Sequence, residues 1–181
     1  MSSMDKNEYR KCEKINGEIF EQSPAEGLLH AMVMGNVFCE IKSQLKGSSW
    51  SVTAGNYTLR LSTDEFVVPD IMLIINDKKH ITSKGYQGIP LFIAEIVGPL
   101  TRVKDRNLKK AAYAKLGVEE YWLIDLIDRK IEIYYLQTGE YILQESYGIE
   151  DKEITISLKN VSMVKITAGE IFSGICEGDN Q

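Results

Sequence analysis

Two acids in this sequence stand where acids are expensive. Asp70 sits in the run VVPDIMLII at 67–75, and Glu95 interrupts PLFIAEIVG at 90–98. Runs this short, apolar on both faces, read as central strands of a covered sheet. A carboxylate placed there needs a cation or hydrogen-bond donors, because burying it alone is strongly unfavourable. Two carboxylates from neighbouring strands form the oxygen set that a hard cation such as Mg²⁺ takes from protein, with water and phosphate completing its shell. Such a set supports metal-assisted phosphodiester hydrolysis, in which the ion polarises the phosphate and lowers the pKa of an attacking water. The competing reading puts both carboxylates at strand ends, capping helices or pairing with Lys and Arg.

A lysine is the third candidate. The sequence predicts a helix over 102–116, capped by Thr101 and closed by Gly117. At about 100° per residue its apolar stripe runs through Leu108, Ala112 and Leu116, and Asp105 and Lys109 fall on or beside that stripe. An i,i+4 ion pair on a solvated face is ordinary; this pair faces the sheet. Lys109 is therefore the candidate catalytic lysine, aimed towards the strand of Glu95 to neutralise a phosphate or orient water. Arg102, Lys104, Arg106 and Lys110 cluster around the start of the same helix. They could grip a phosphate backbone, where contacts set affinity without reading sequence, or they are solvated helix surface.

The elements that must position these residues follow from local signals. Residues 15–20, INGEIF, predict a short hairpin. Ser23, Pro24 and Glu26 form a capping-box signature for a helix over about 24–46, whose stripe is Val33, Met34, Val37, Ile41 and Leu45. His30 falls inside that stripe and Glu40 on its flank, and both are possible accessory residues, as is Asp105. WSVT and YTLRL read as a hairpin across Ala54-Gly55-Asn56, residues 76–89 as a loop, and YWLID at 121–125 as another strand. A hairpin turning at Thr138-Gly139 and a final pair, EITISL with MVKI, complete the predicted sheet. Tyr121 and Trp122 read as core aromatics rather than base-stacking platforms. The apolar run of Ile131, Ile133, Tyr134, Tyr135 and Leu136 offers a surface for a homodimer.

Bulk properties narrow the class. The 181 residues, 44% hydrophobic and 26% charged, suit one domain with a core over about 12–175 and frayed ends. With 21 Lys and Arg against 26 Asp and Glu, the net charge of -5 excludes a general basic field, so any nucleic-acid contact must be local. Cys12, Cys39 and Cys176 lack the spacing of a zinc site or a disulfide framework, which fits a reducing cytoplasm. No stretch approaches the roughly 18 apolar residues of a membrane span, and the N-terminus has no apolar signal segment.

Certain residues together resemble a known family. They are Val68-Pro69-Asp70, then Ala94-Glu95-Ile96-Val97-Gly98-Pro99 with Thr101, then Asp105-x3-Lys109-x3-Tyr113-x3-Gly117-Val118-x-Glu120-Tyr121-Trp122-x2-Asp125. In order and spacing they resemble the Uma2 (DUF820) family of the PD-(D/E)xK nuclease superfamily, over about residues 15–170. The resemblance implies an α/β (α+β) restriction-endonuclease-like fold, with a mixed central sheet flanked by helices and additional antiparallel hairpins. It also implies an endonuclease with Mg²⁺ or Mn²⁺ as cofactor and nucleic acid, chiefly DNA, as substrate. Carried over by position, Asp70 and Glu95 would be metal ligands, and Lys109 would replace the lysine that the superfamily places two residues after its second acid, where this chain has Val97. His30 matches a histidine of the family's first helix, and Gly98 stands where members tend to have Ser. The alternative is a catalytically inactive binding or regulatory module on the same fold.

Overall fold

A computed structural model describes residues 12–21, 27–151, 153–156 and 164–175. The chain opens with a hairpin, β1 (Cys12–Ile15) and β2 (Glu18–Glu21), turning at Asn16 and Gly17 with φ of 52° and 82°. Two successive left-handed residues are what a tight twisted hairpin requires, and Asn-Gly supplies them cheaply. Helix α1 (Gly27–Gln44) follows, burying Val33, Val37 and Ile41 as its stripe predicts. Its predicted cap at Ser23 to Glu26 lies outside the described residues.

The central sheet has six strands: β3 (Trp50–Ala54), β6 (Ile71–Ile75), β9 (Phe92–Val97), β10 (Glu120–Asp125), β11 (Lys130–Gln137) and β12 (Glu140–Gly148). Their spatial order is β12-β11-β10-β9-β6-β3. Only β9 and β10 run parallel, with Glu95 beside Leu123. A parallel pair needs a long crossover, and the segment 98–119 with its helix supplies it. A second sheet is built from short pieces: β4 (Leu59–Arg60), β5 (Phe66–Val67), β7 (Ile81–Thr82) and β8 (Gly85–Tyr86), in the order β2-β1-β5-β4-β8-β7.

Two cores result, one on each face of the central sheet. On one face Phe92, Ala94, Ile96, Trp122 and Ile124 pack against Val33, Val37 and Ile41 of α1 and against Ile166 and Ile171 near the C-terminus. On the other, Ile93, Val97, Tyr121 and Leu123 meet Tyr113 of the crossover helix and Ile15, Leu59, Val67 and Tyr86 of the small sheet. Because side chains alternate along a strand, Glu95 points with Ile93 and Val97 into the second core. Tyr121 and Trp122 are both fully buried, as expected for core aromatics.

Several expectations change. β3 and β4 form no hairpin: β3 pairs with β6, and β4 with β5 and β8. Gly55 and Asn56, both left-handed, turn the chain out of one sheet so that Val52 and Leu59 enter opposite cores. Residues 76–89 are not simply loop, since β7 and β8 pair within them. The final strands, β13 (Glu153–Ile156) and β14 (Val164–Thr167), form a separate two-stranded sheet. Of the run read as a dimer surface, Ile131, Ile133 and Tyr134 are buried in the core, and Tyr135 and Leu136 are half-buried. The predicted helix over 102–116 is π-helical at Lys104–Lys109 before continuing as α2 (Lys110–Leu116).

Gly85 fixes the β4–β8 contact: its φ is 115°, and a Cβ there would lie 2.3 Å from the Thr58 carbonyl oxygen. Gly85→Ala should therefore lower stability by about 1–3 kcal/mol, read as a lower urea midpoint. An unchanged midpoint would show that the 76–89 segment is only loosely held.

Candidate active site

The site is assembled by backbone features first. β6 and β9 pair only from Leu73 opposite Phe92 to Ile71 opposite Ala94. Asp70 stands in the bend just before β6, not inside the strand, and its side chain continues the ladder: Oδ2 accepts from the Ile96 amide at 2.8 Å. That bond seats Asp70 beside the Glu95–Ile96 peptide. His30 of α1 reaches the same oxygen from the other side, with Nε2 at 3.2 Å. An ionised carboxylate only accepts, so Nε2 is the donor there.

Glu95 lies one step deeper. Lys109 donates to both of its carboxylate oxygens at 3.1 Å, and the Tyr113 hydroxyl donates to Oε1 at 2.5 Å. Tyr113 is one helical turn beyond Lys109, so one helix face delivers both donors. The Lys109 ammonium also touches Glu13 Oε1 at 3.0 Å, Asp105 Oδ1 at 3.5 Å and the Val68 carbonyl at 3.5 Å. Glu13, fully buried on β1, accepts from the Val68 amide at 2.9 Å and pairs through Oε2 with Lys104 at 2.5 Å.

Asp105 and Lys109 share the buried face on a π-helical turn. The Asp105 carbonyl accepts from the Lys110 amide five residues on and from the Tyr121 hydroxyl at 3.0 Å. A side chain that inserts into the helical ladder widens it locally. Both Asp105 and Lys109 are buried.

Electrostatics separate the acids. Burial pushes the Asp70 carboxyl up, but His30, Lys109 and the Ile96 amide outweigh it and hold the group below its usual range. Glu13 is likewise held low against burial by Lys109 and Lys104. For Glu95 burial wins: its carboxyl is raised well above the usual range against the pull of Lys109, with Asp70, Asp105 and Glu13 adding to the rise. Burial also raises Asp105. Burial would discharge Lys109, but Glu95, Asp105, Glu13 and Asp70 together keep its ammonium charged far above the usual lysine range. Burial and the neighbouring Glu95 raise the Tyr113 hydroxyl, so it stays a donor.

Asp70, Glu95 and Lys109 are thus brought together, with Asp105 and His30 in contact with them. Glu40 is not: it is ten residues beyond His30, about 15 Å along the helix, and among the described residues its side chain makes no bond to the cluster. The basic quartet turns inward. Arg102 pairs with Asp128 at 2.6 Å and Asp125 at 3.3 Å, Arg106 with Glu132 at 2.6 Å and Asp125 at 3.0 Å, and Lys104 with Glu13. Lys110 lies 3.5 Å above the centre of the Tyr134 ring. Sequence reasoning missed Glu13, which sits in the mixed tetrapeptide CEKI with no apolar run to mark it as buried. It also gave Tyr113 no role.

Comparison with known proteins accords with this geometry. The model of the Uma2 family, described as "Putative restriction endonuclease", matches residues 2–163. A solved structure, described as "a putative nuclease belonging to DUF820 from Anabaena variabilis", superposes with a TM-score of 0.65 at 20% identity. The match covers 90% of this chain and 89% of that one, so the two share the restriction-endonuclease-like fold. Among curated proteins no match was found. With a family match that runs through both sheets, the crossover helix and every residue of the buried cluster, the chain belongs to the Uma2 family.

Proposed function

We propose that the chain is a Mg²⁺- or Mn²⁺-dependent endonuclease that hydrolyses phosphodiester bonds in DNA, with Asp70 and Glu95 holding the metal and Lys109 serving the reacting phosphate. The observation that carries this reading is the Lys109 ammonium 3.1 Å from both Glu95 oxygens, next to the peptide that seats Asp70. Family membership and the shared fold support a nuclease acting on nucleic acid.

The donor set fits a hard cation that takes few protein ligands. Among the described residues no group of three or more His, Cys, Asp or Glu side chains is placed to cage a metal. Mg²⁺ needs no such cage, since one or two carboxylates with water and substrate phosphate suffice. Asp70 is ionised and 20% exposed, and both of its side-chain hydrogen bonds fall on Oδ2, which leaves Oδ1 as the ligand atom. When bound, the ion polarises the phosphate and lowers the pKa of a water.

The chain's own residues supply the rest. Lys109 keeps a positive charge at a fixed point, where it offsets charge developing on the phosphate or orients the water. His30 keeps Asp70 ionised and aimed. Tyr113 holds Glu95, and Glu13 and Asp105 hold Lys109. Arg102, with 37% of its side chain exposed, is placed to leave Asp128 for a backbone phosphate. One observation favours the alternative of a non-cleaving binding or regulatory module: Lys109 and Tyr113 already occupy both oxygens of Glu95.

Asp70→Ala should abolish Mg²⁺ and Mn²⁺ binding in calorimetric titration and lower plasmid nicking by at least about 100-fold. Binding unchanged by the substitution would remove the site assignment, and metal binding without cleavage of any nucleic acid would favour the module.

Burial raises the Glu95 carboxyl well above the usual range, against the pull of Lys109. Protons compete with a metal for this carboxylate, so Mg²⁺ affinity should rise with pH, with proton release visible in buffers of different ionisation enthalpy. Affinity independent of pH, with no proton release, would remove Glu95 from the ligand set.

Glu13→Gln removes a charge that both Lys109 and Lys104 face. Nicking should fall about 10- to 100-fold while the metal stoichiometry stays the same. Full activity in this variant would show that Lys109 needs no such anchor.

A further inference from the structure

The cations at the start of the crossover helix are engaged with acids or with an aromatic ring, so other groups must do most of the work of holding a polyanion. The small sheet has a groove suited to that work. It has a volume of about 390 Å³ and is lined by Arg60, Ser62, Thr63, Lys84 and Gln87, with Leu116 at the end of α2 as part of its wall. Its lining holds a guanidinium, an ammonium, two hydroxyls and an amide, and no carboxylate.

The groups are held in place to different degrees. The Arg60 guanidinium lies 5.6 Å from the centre of the Phe66 ring and donates to the Thr63 carbonyl, so it is anchored before any ligand arrives. Ser62 Oγ accepts from the Glu65 amide at 3.1 Å, which leaves its hydroxyl hydrogen to donate. The Lys84 backbone is fixed by its amide bonding Thr82 Oγ1 at 3.2 Å and by the left-handed Gly85 that follows. Its exposed ammonium makes no ion pair among the described residues. On the same loop as Ser62 and Thr63, Asp64 is exposed, and Glu65 Oε1 is drawn away to the Gly17 amide at 3.1 Å.

The groove lies at a useful distance from the reactive centre. From Lys109 to Leu116 is about 10 Å of helix at 1.5 Å per residue. From β5, which leads to Asp70, to β8 is two strand spacings, again about 10 Å. At 3.4 Å per nucleotide this is roughly three nucleotides.

We propose that this groove is a backbone-phosphate subsite, gripping the nucleic-acid strand about three nucleotides from the phosphate that reacts. It rests on the nucleic-acid reading above and assigns Lys84 and Arg60 to affinity rather than chemistry. Such contacts position a strand without reading its bases.

The test is anisotropy of a fluorescein-labelled DNA duplex, with Ca²⁺ replacing Mg²⁺, across a salt series. Lys84→Gln should weaken binding about threefold to tenfold whatever the sequence, and should reduce the slope of log affinity against log salt by about one. Lys84→Arg should restore both, and Lys78→Gln, an exposed lysine outside the groove, should change neither. Wild-type binding that Lys84→Gln leaves unaltered, or that Lys78→Gln alters equally, would overturn the subsite and leave the nuclease reading standing. A wild type that binds no DNA would overturn both. Saturable binding of inorganic phosphate that the duplex fails to displace would make the groove a small-anion site instead.

Discussion

One buried ammonium sets the terms for everything around it. Lys109 sits in the second core with Glu13, Glu95 and Asp105 in direct contact. Taking an ammonium out of water costs several kcal/mol, and only close, well-formed contacts offset it. Removing Lys109 would leave its buried acids without their shared cation, at a cost of about 3–5 kcal/mol. The three partners come from β1, β9 and the π-helical turn, so the ion cluster ties the small sheet, the central sheet and the crossover helix to one point. Stability, here, is a poor reason for such an arrangement; apolar residues would fill the space at lower cost. The role proposed for Lys109 at a reacting phosphate would give a reason for a fixed positive charge among three acids.

The backbone does much of the positioning. Asp70 takes over a ladder position that β6 vacates, and the Tyr121 hydroxyl bonds into the widened helical turn that carries Asp105 and Lys109. Both are departures from regular structure, and both fall within the cluster. Local irregularity concentrates where a side chain must be aimed rather than merely buried. The parallel β9–β10 pair supplies the rigid background, with Glu95 and the strand that carries Tyr121 locked in register.

The sequence made the acids and the lysine legible for a simple reason: a charge inside an apolar run, or on an apolar helical stripe, breaks a pattern that burial enforces. Asp70, Glu95 and Lys109 all break it. Glu13 does not, because β1 is a short strand between polar neighbours and its burial depends on a partner 55 residues away, the Val68 amide. The π-helical turn gave no local sign either, and the Tyr121 hydroxyl that bonds the Asp105 carbonyl within it comes from a different strand. Sheet partners were the weakest reading. WSVT and YTLRL have the composition of a hairpin, and only the division into two cores sends them to separate sheets. The basic quartet was visible as charge, but its acids, Asp125, Asp128 and Glu132, are distant in sequence and give no local sign that they would claim it.

The short β6–β9 pairing described above means that the central sheet is forked. One prong is β3 and β6, the other is β9 through β12, and Asp70 and Glu95 stand at the crotch. The separation of the two acids is therefore set by how far the prongs splay, not by either strand alone. Helix α1 lies across both prongs, with Val33, Val37 and Ile41 in the same core as Val52, Leu73, Ala94 and Ile96. It works as a brace, and because it also carries His30, the element that fixes the opening of the fork is the one that touches the acid at its base.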